Sequence, residues 1–511
     1  MKRSSLNAGR RARELESLGH EPVDLLVIGG GVTGAGVALD AAARGLSVVL
    51  AEKHDLAFGT SRWSSKLVHG GLRYLASGAI GIAHESAVER GILIGRTAPH
   101  LVSAFPQVVP LLPQVNHRHA ALVQAGFLAG DALRASAHTS RHTLPRSRRI
   151  SGQEVQRFAP TVRTTGLRGG LLAWDGQLYD DARLTIGIAR TAAALGARVL
   201  TRCVGEQVTG QGAVLRDELT GRSYDVDARI VINAAGVWAG QVAPGIELRP
   251  SRGTHLVLSQ ESFGGLAAGL TVPVPGSTSR FVFALPAPDN RVYVGITDED
   301  APGDIPDVPL ASEEEIDFLL ETVSSVLRSP LTRADLLGTF AGLRPLLHTG
   351  GDSTADISRR HAVITASDGL VTIVGGKLTT YRRMAQDALD AALDSAGVTA
   401  GPCSTRRLPL VGAASREALA AVAAPARLVH KYGTEAVAVA GDAGGADVIC
   451  DGTEVTAAEL TFAVRHEGAL DEDDLLDRRT RIGLDPITRA RALKAARAAL
   501  VSPQPIGSEH Q

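Results

Sequence analysis

The 511-residue chain carries 53 Lys and Arg against 54 Asp and Glu, and 44% of its residues are hydrophobic. That is enough apolar material for a sizeable core in roughly three domains, with none of the broad basic field of a nucleic-acid binder. The three cysteines, Cys203, Cys403 and Cys450, are odd in number and far apart, and no run of 18 apolar residues occurs; a disulfide framework, a zinc site and a membrane-spanning helix are disfavoured, and a reducing cytoplasmic setting fits.

Residues 1–21 hold Lys2, Arg3, Arg10, Arg11 and Arg13 but no apolar stretch, so they make a poor signal peptide and read as a disordered or frayed tail. Residues 24–28 form an apolar run of strand length. Gly29, Gly31 and Gly34 follow in the G-x-G-x-x-G pattern, ahead of an alanine-rich helix and a second strand ending at Glu52. At those positions side chains would block a tight turn, a diphosphate and close helix packing, and an acid about 20 residues on accepts from a ribose hydroxyl. The stretch predicts a Rossmann-like dinucleotide-binding unit.

Residues 58–75 are crowded with hydroxyls, glycines and cations, the composition of a ligand-lining loop. A helix is expected over 85–97 and a proline-edged strand over 108–113. The apolar segment 120–130 lies between Arg118 and His119 on one side and Arg134, Arg141, Arg146, Arg148 and Arg149 on the other. It is too short to span a bilayer; it reads either as a helix resting on an anionic membrane surface or as a buried helix between basic loops. A helix over 184–195, a strand over 198–204 and a second strand-to-glycine turn over 229–240 return the chain to the nucleotide sheet. The β-rich runs 254–258, 280–284 and 291–296 predict an antiparallel sheet of hairpins. A helix over 313–327, strands over 338–345, 362–365 and 370–374, and a helix over 382–396 complete this body. After Gly401-Pro402 strand signals nearly vanish; a capping box at 456–459 and an N1 proline at Pro486 predict an all-α domain over 403–505.

The runs GGGVTGAG at 29–36, SSKLVHGGLRYL at 64–75, DDARL at 180–184, GLRP at 342–345 and GGKLTTYR at 375–382 resemble, in the same order, those of the FAD-dependent glycerol-3-phosphate dehydrogenases, of the D-amino-acid-oxidase-like superfamily. The resemblance spans roughly 22–500. It implies an α/β fold: a discontinuous FAD-binding lobe (about 22–98, 184–250 and 340–400), an antiparallel-sheet substrate lobe (about 99–183 and 251–339) and the helical C-terminal domain. It further implies non-covalent FAD and oxidation of glycerol 3-phosphate to dihydroxyacetone phosphate. Electrons would pass to a quinone by peripheral contact with the inner face of the cytoplasmic membrane, and a homodimer stays open.

By the same resemblance Arg73, Tyr74, Arg344, Arg359 and Lys377 bind substrate, and His255 and Arg344 are catalytic, with His69 a second choice for the proton. A neutral imidazole suits a base near pH 7, whereas Arg suits stabilising an alkoxide. Gly29, Gly31 and Gly34 would take the diphosphate and Glu52 the adenosine ribose. Thr60, Ser61, Ser65, Lys66 and Leu67 would follow the diphosphate toward the ring. Val204 would meet adenine, and Gly236, Gly376, Lys377, Leu378 and Thr379 would close over the isoalloxazine. No metal is implied. Competing readings are an oxidase of the same substrate using oxygen, an amino-acid-oxidase-type flavoenzyme, and a binding protein in which FAD is structural. The extension 1–21 and the long basic stretch 136–149 depart from the family pattern.

Overall fold

The computed structural model describes residues 2–71, 78–277, 280–348, 360–441 and 445–501. Strand Val23–Ile28 is apolar on both faces, with only Asp24 partly exposed, and it stands inside the first sheet. Val48–Ala51 pairs parallel on one side and Ser223–Asn233 on the other. Arg198–Leu200 extends the first side and Val371–Gly375 the second, also in parallel, with His361–Thr365 antiparallel at the edge. Strand order therefore reverses at Val23–Ile28, and a sheet of this kind opens a crevice at the carboxyl ends of the strands flanking the reversal. Those ends are Ile28, Ala51, Asn233 and Gly375, so the glycine turn, Glu52, Gly236 and Gly376 all issue onto one edge. Helix Val32–Ala43 is buried almost all round, packed between helices Asp181–Ala194 and Tyr381–Ala396. The single strand expected over 198–204 is divided: Arg202 takes a positive φ of 53°, and the chain restarts as a hairpin, Cys203–Thr209 with Gly212–Asp217.

The second sheet carries, in order, Glu299–Asp300, Ser251–Ser259, Arg291–Gly295, Phe281–Ala287, Gly269–Pro273, Val102–Pro110, Gly170–Leu178 and Leu67–Val68. Its antiparallel hairpins are those expected from the β-rich runs. Strand Leu336–Arg344 pairs along Ser251–Ser259 in this sheet. Likewise Leu67–Val68 joins Gly170–Leu178 in this sheet, although 22–98 was assigned to the first lobe. Helix Glu313–Ser324, closed by a Ser312/Glu315 capping box, seals one face of this core.

The named elements among the described residues from Arg416 to Val501 are all helices, with their own apolar cores around Leu460, Leu475 and Ala492 and around Tyr432 and Phe462. The expected capping box is present, Thr456 and Glu459 bonding each other's backbone N–H. The domain is held to the first lobe by buried ion pairs. Asp55 takes Arg478 and Arg479, and Glu467 takes Arg183.

Residues 2–18 are not a frayed tail. Leu6 N donates to His466 O at 3.0 Å, Leu6 O accepts from Gly468 N at 2.9 Å, and Asn7 caps helix Ala8–Glu16. Arg11 Nε donates to Thr201 O at 2.7 Å and its guanidinium pairs with Asp217. Arg10 donates to Ala193 O at 3.1 Å. The cations that looked like a solvated tail satisfy carbonyls where helix Asp181–Ala194 and strand Arg198–Leu200 end, so the segment straps the first lobe to the helical domain.

Helix His117–Ser136 covers the apolar segment 120–130. Its inner face, Ala120, Val123 and Phe127, rests on Val109, Leu111, Val115 and Leu171. Leu122 and Leu128 are 58% and 57% exposed. The helix is thus surface-laid, not buried.

Candidate active site

The crevice at the strand ends widens into a cavity of about 1480 Å³, above the ~300–1,000 Å³ usual for one small ligand, with room for a dinucleotide and a substrate. At one end the glycine turn meets backbone so closely that nothing larger fits. A Cβ on Gly29, whose φ is +111°, would lie 2.6 Å from Ala234 O, and one on Gly34 would collide with the Gly29 carbonyl. Gly34 therefore lies behind the wall, packing helix on turn, while Gly29 and Gly31 face the cavity. Ser61 Oγ accepts from Val32 N at 2.9 Å, fixing the helix N-terminus where a diphosphate is best received.

Glu52 lines the same end. Gly30 N donates to its Oε2 at 2.6 Å and His54 N to its Oε1 at 2.8 Å. Burial pushes its pKa up, opposed by those two N–H groups. Each oxygen keeps a second lone pair for a ribose hydroxyl. His54 stacks on Phe58 with centroids 3.9 Å apart. Val204 and Gly236 are on the wall, as are Thr60, Ser65, Leu67, Gly376, Lys377, Leu378 and Thr379. Thr60 is fixed by donating to Leu343 O at 2.6 Å.

Lys66 is not there. Its side chain turns into the core, donating to Arg62 O at 3.1 Å, Ser64 O at 3.0 Å and Asp181 Oδ2 at 3.1 Å. Burial pulls its pKa down to about 8 against the opposing pull of Asp181. The segment alternates as an extended chain must: Ser65, Leu67 and His69 face the cavity, and Lys66, Val68 and Gly70 face inward.

Arg344 reaches the cavity at the end of its strand, held by Ser251 Oγ at 3.0 Å, Asp298 Oδ1 at 3.1 Å and Thr297 O at 3.0 Å. Ser251 is its register partner in the adjacent strand. Lys377 Nζ donates to Ser86 Oγ at 2.8 Å. Asp175, also on the wall, binds Arg90 at 2.6 Å and accepts from Gly70 N, anchoring the loop that carries His69. Ser251, Thr297, Asp298 and Asp175 were missed: Ser251 and Asp175 stand in strands, Thr297 and Asp298 in the connection between Arg291–Gly295 and Glu299–Asp300, and none carries a local signal of its own. Arg73, Tyr74 and Arg359 lie outside the described residues.

His255 is not on the cavity wall. It is fully enclosed in its strand, stacked on Phe340 at 4.6 Å, with Nε2 2.9 Å from Ser65 Oγ. Burial, then the positive charges of Lys66 and Arg344, depress its pKa well below the ordinary imidazole value. Direct removal of a substrate proton by His255, expected from the resemblance, does not match this placement. His69 lines the wall, as does His54 at the adenosine end beside Glu52. Among the described residues no group of His, Cys, Asp and Glu could hold a metal ion.

A family model for FAD dependent oxidoreductases matches residues 24–382, and one for the C-terminal domain of alpha-glycerophosphate oxidase matches 403–505. Glycerol-3-phosphate dehydrogenase 1 of Mycobacterium tuberculosis is 56% identical over 97% of this chain and 98% of its own length. A mitochondrial glycerol-3-phosphate dehydrogenase of Arabidopsis thaliana is 36% identical over 93% and 82%. The crystal structure of the Bacillus halodurans glycerol-3-phosphate dehydrogenase complexed with FAD superposes with a TM-score of 0.73 at 28% identity, covering 96% of this chain and 93% of that one. A glycine turn that admits no side chain, an acid at the second strand end and the two family matches agree: the chain belongs to the FAD-dependent glycerol-3-phosphate dehydrogenase family and uses FAD.

Proposed function

We propose that the chain oxidises sn-glycerol 3-phosphate to dihydroxyacetone phosphate and delivers the electrons to a membrane quinone. The observation that carries the reading is Arg344, aimed into the FAD-sized cavity by Ser251, Asp298 and Thr297, with Lys377 also on the wall.

Bound FAD would supply the hydride acceptor, its N5 atom. Arg344 is already paired with Asp298, so it contributes direction and an N–H fork for developing alkoxide charge more than net charge. The dianionic phosphate then needs the further cations Arg73 and Arg359, which the family resemblance assigns to the substrate together with Tyr74; Lys377 adds charge at the ring end. His69 on the wall takes the hydroxyl proton as the C–H hydride leaves, so two electrons and one proton go with the hydride and the second proton to imidazole.

Leu122, Val123 and Phe127 from helix His117–Ser136 line the cavity, as do Val274, Phe281 and Phe318, and add an apolar contribution to it. Such a surface suits a quinone. Leu128 on the same helix is exposed and does not line the cavity, which supports peripheral contact with a membrane surface.

Anaerobic addition of glycerol 3-phosphate to the holoprotein should bleach the flavin, and a short-chain quinone should restore its colour. A flavin that stays oxidised sinks the substrate assignment; stoichiometric peroxide in air with no quinone reduction sinks the acceptor.

A further inference from the structure

The sheet clamps His255 from both neighbouring strands. Phe340, its register partner on one side, stacks on the ring at an interplanar angle of 11°. On the other side lies Gly295, where an added Cβ would sit 2.8 Å from the ring's Cγ. Nε2 meets Ser65 Oγ at 2.9 Å, while Nδ1 is buried with no hydrogen-bond partner among the described residues. The charged groups around it are Lys66, itself paired with Asp181, and Arg344, paired with Asp298, so any proton added to the ring would join two cations already present. The ring is neutral.

A neutral imidazole carries its proton on one nitrogen only. Placed on Nδ1 it would be an enclosed donor with nothing to donate to, a state that native structures avoid more strictly than an unmatched acceptor. The proton therefore sits on Nε2 and is given to Ser65 Oγ. Ser65 in turn has a hydroxyl proton that no described residue accepts, and Ser65 lines the cavity. Two residues on, strand Leu67–Val68 packs against the turn Leu378–Thr380, the segment assigned to the flavin ring. The direction of donation runs from the core, through the serine, into the ligand space.

Building on the flavin oxidoreductase reading, we propose that Ser65 donates a hydrogen bond to a ring nitrogen or carbonyl oxygen of the isoalloxazine, and that His255 is a positioning residue which aims that donor. His255 acts as a fixed neutral donor through Ser65, with no proton exchanged during turnover. The invariant part is the relay Nε2–H to Oγ, then Oγ–H to the ring.

The test compares Ser65→Ala, His255→Leu and His255→Gln by the visible spectrum of bound FAD, the FAD dissociation constant and the pH profile of kcat/KM. Ser65→Ala should shift the flavin bands and weaken FAD binding about 10-fold. His255→Leu should reproduce both effects, and adding it to Ser65→Ala should cost nothing more, because the two residues form one unit. His255→Gln, whose amide N–H stands near the place of Nε2–H, should stay within about twofold of wild type and keep both limbs of the pH profile. An unchanged flavin spectrum in Ser65→Ala, or a limb lost from the profile of His255→Gln, overturns the proposal. Should His255→Leu fail to fold, Ser65→Ala and His255→Gln still decide it. If glycerol 3-phosphate proves not to reduce the wild-type flavin, the substrate reading fails alone, since spectrum and FAD affinity are read without substrate.

Discussion

Asp55 and Arg479, 424 positions apart, meet as a bidentate pair: Nη1 donates to Oδ2 at 2.6 Å and Nη2 to Oδ1 at 2.8 Å. Arg478 Nε adds a third bond at 2.6 Å. Asp55 is buried, yet these cations hold its carboxyl far below the usual range. It follows His54, whose N–H fixes Glu52, so the helical domain acts on the adenosine end of the site through three residues of chain. Arg479→Ala should leave Asp55 under-compensated and cost about 3–5 kcal/mol. Thermal unfolding with and without FAD reads this; equal unfolding temperatures for variant and wild type would show the pair to be dispensable.

The same junction has a pH signature. Burial and the charge of Asp55 push the Asp474 carboxyl up to about 6. Its folded pKa lies above the ~3.9 of a free side chain, so the native state holds the proton more tightly; the resulting stability is complete below about pH 4 and is lost as pH rises through 6. Asp474→Asn should flatten the stability curve across that window, by on the order of 1–3 kcal/mol. Denaturant unfolding at pH 4.5 and 7, chosen on either side of ~6, measures the difference; a slope identical to wild type contradicts it.

Gly34→Ala should yield protein with little or no FAD. The new methyl group meets the Gly29 carbonyl, and neither helix nor turn can retreat, since the helix is buried between two others. Flavin absorbance per mole of purified protein is the measurement, and a full complement of FAD would refute the packing argument.

Arg344→Lys keeps the charge but loses the fork that spans Ser251, Asp298 and Thr297. A fall in kcat/KM of ~10- to 100-fold is expected, with FAD content unchanged. Steady-state kinetics with an artificial dye separate this from effects on the quinone step; a variant as active as wild type removes Arg344 from the site.

Leu128 is exposed on helix His117–Ser136 and does not line the cavity. Leu128→Asp should weaken binding to anionic vesicles at least about 10-fold, from the ~1.5–3 kcal/mol that a buried leucine contributes, while dye-linked turnover stays constant. Co-sedimentation with vesicles decides it, and undiminished sedimentation moves the contact elsewhere.

The first lobe was legible because its signals are local. A strand, a glycine turn, a helix and an acid in register are fixed by periodicity and sterics within thirty residues. Lys66 was misplaced because a motif groups neighbours that an extended backbone sends to opposite sides; the alternation of Ser65, Leu67 and His69 against Lys66 would have found it. His255 was carried over from the family resemblance, and the apolarity of its strand is what encloses it. Arg10 and Arg11 resembled a solvated tail because their partners, Ala193, Thr201 and Asp217, lie about 190 positions or more away. Partners at that distance leave no pattern in sequence.

The convergence of Ile28, Ala51, Asn233 and Gly375 on one crevice also sets an order of assembly. The glycine turn is made early in synthesis, but Lys377 and Thr379 come some 350 residues later, and the arginines that grip Asp55 a hundred residues after them. A ribosome-bound chain can shape the diphosphate end long before it can enclose the ring. The two ends of the cavity are thus built from distant stretches, Gly29 and Gly31 at one and Lys377 and Thr379 at the other.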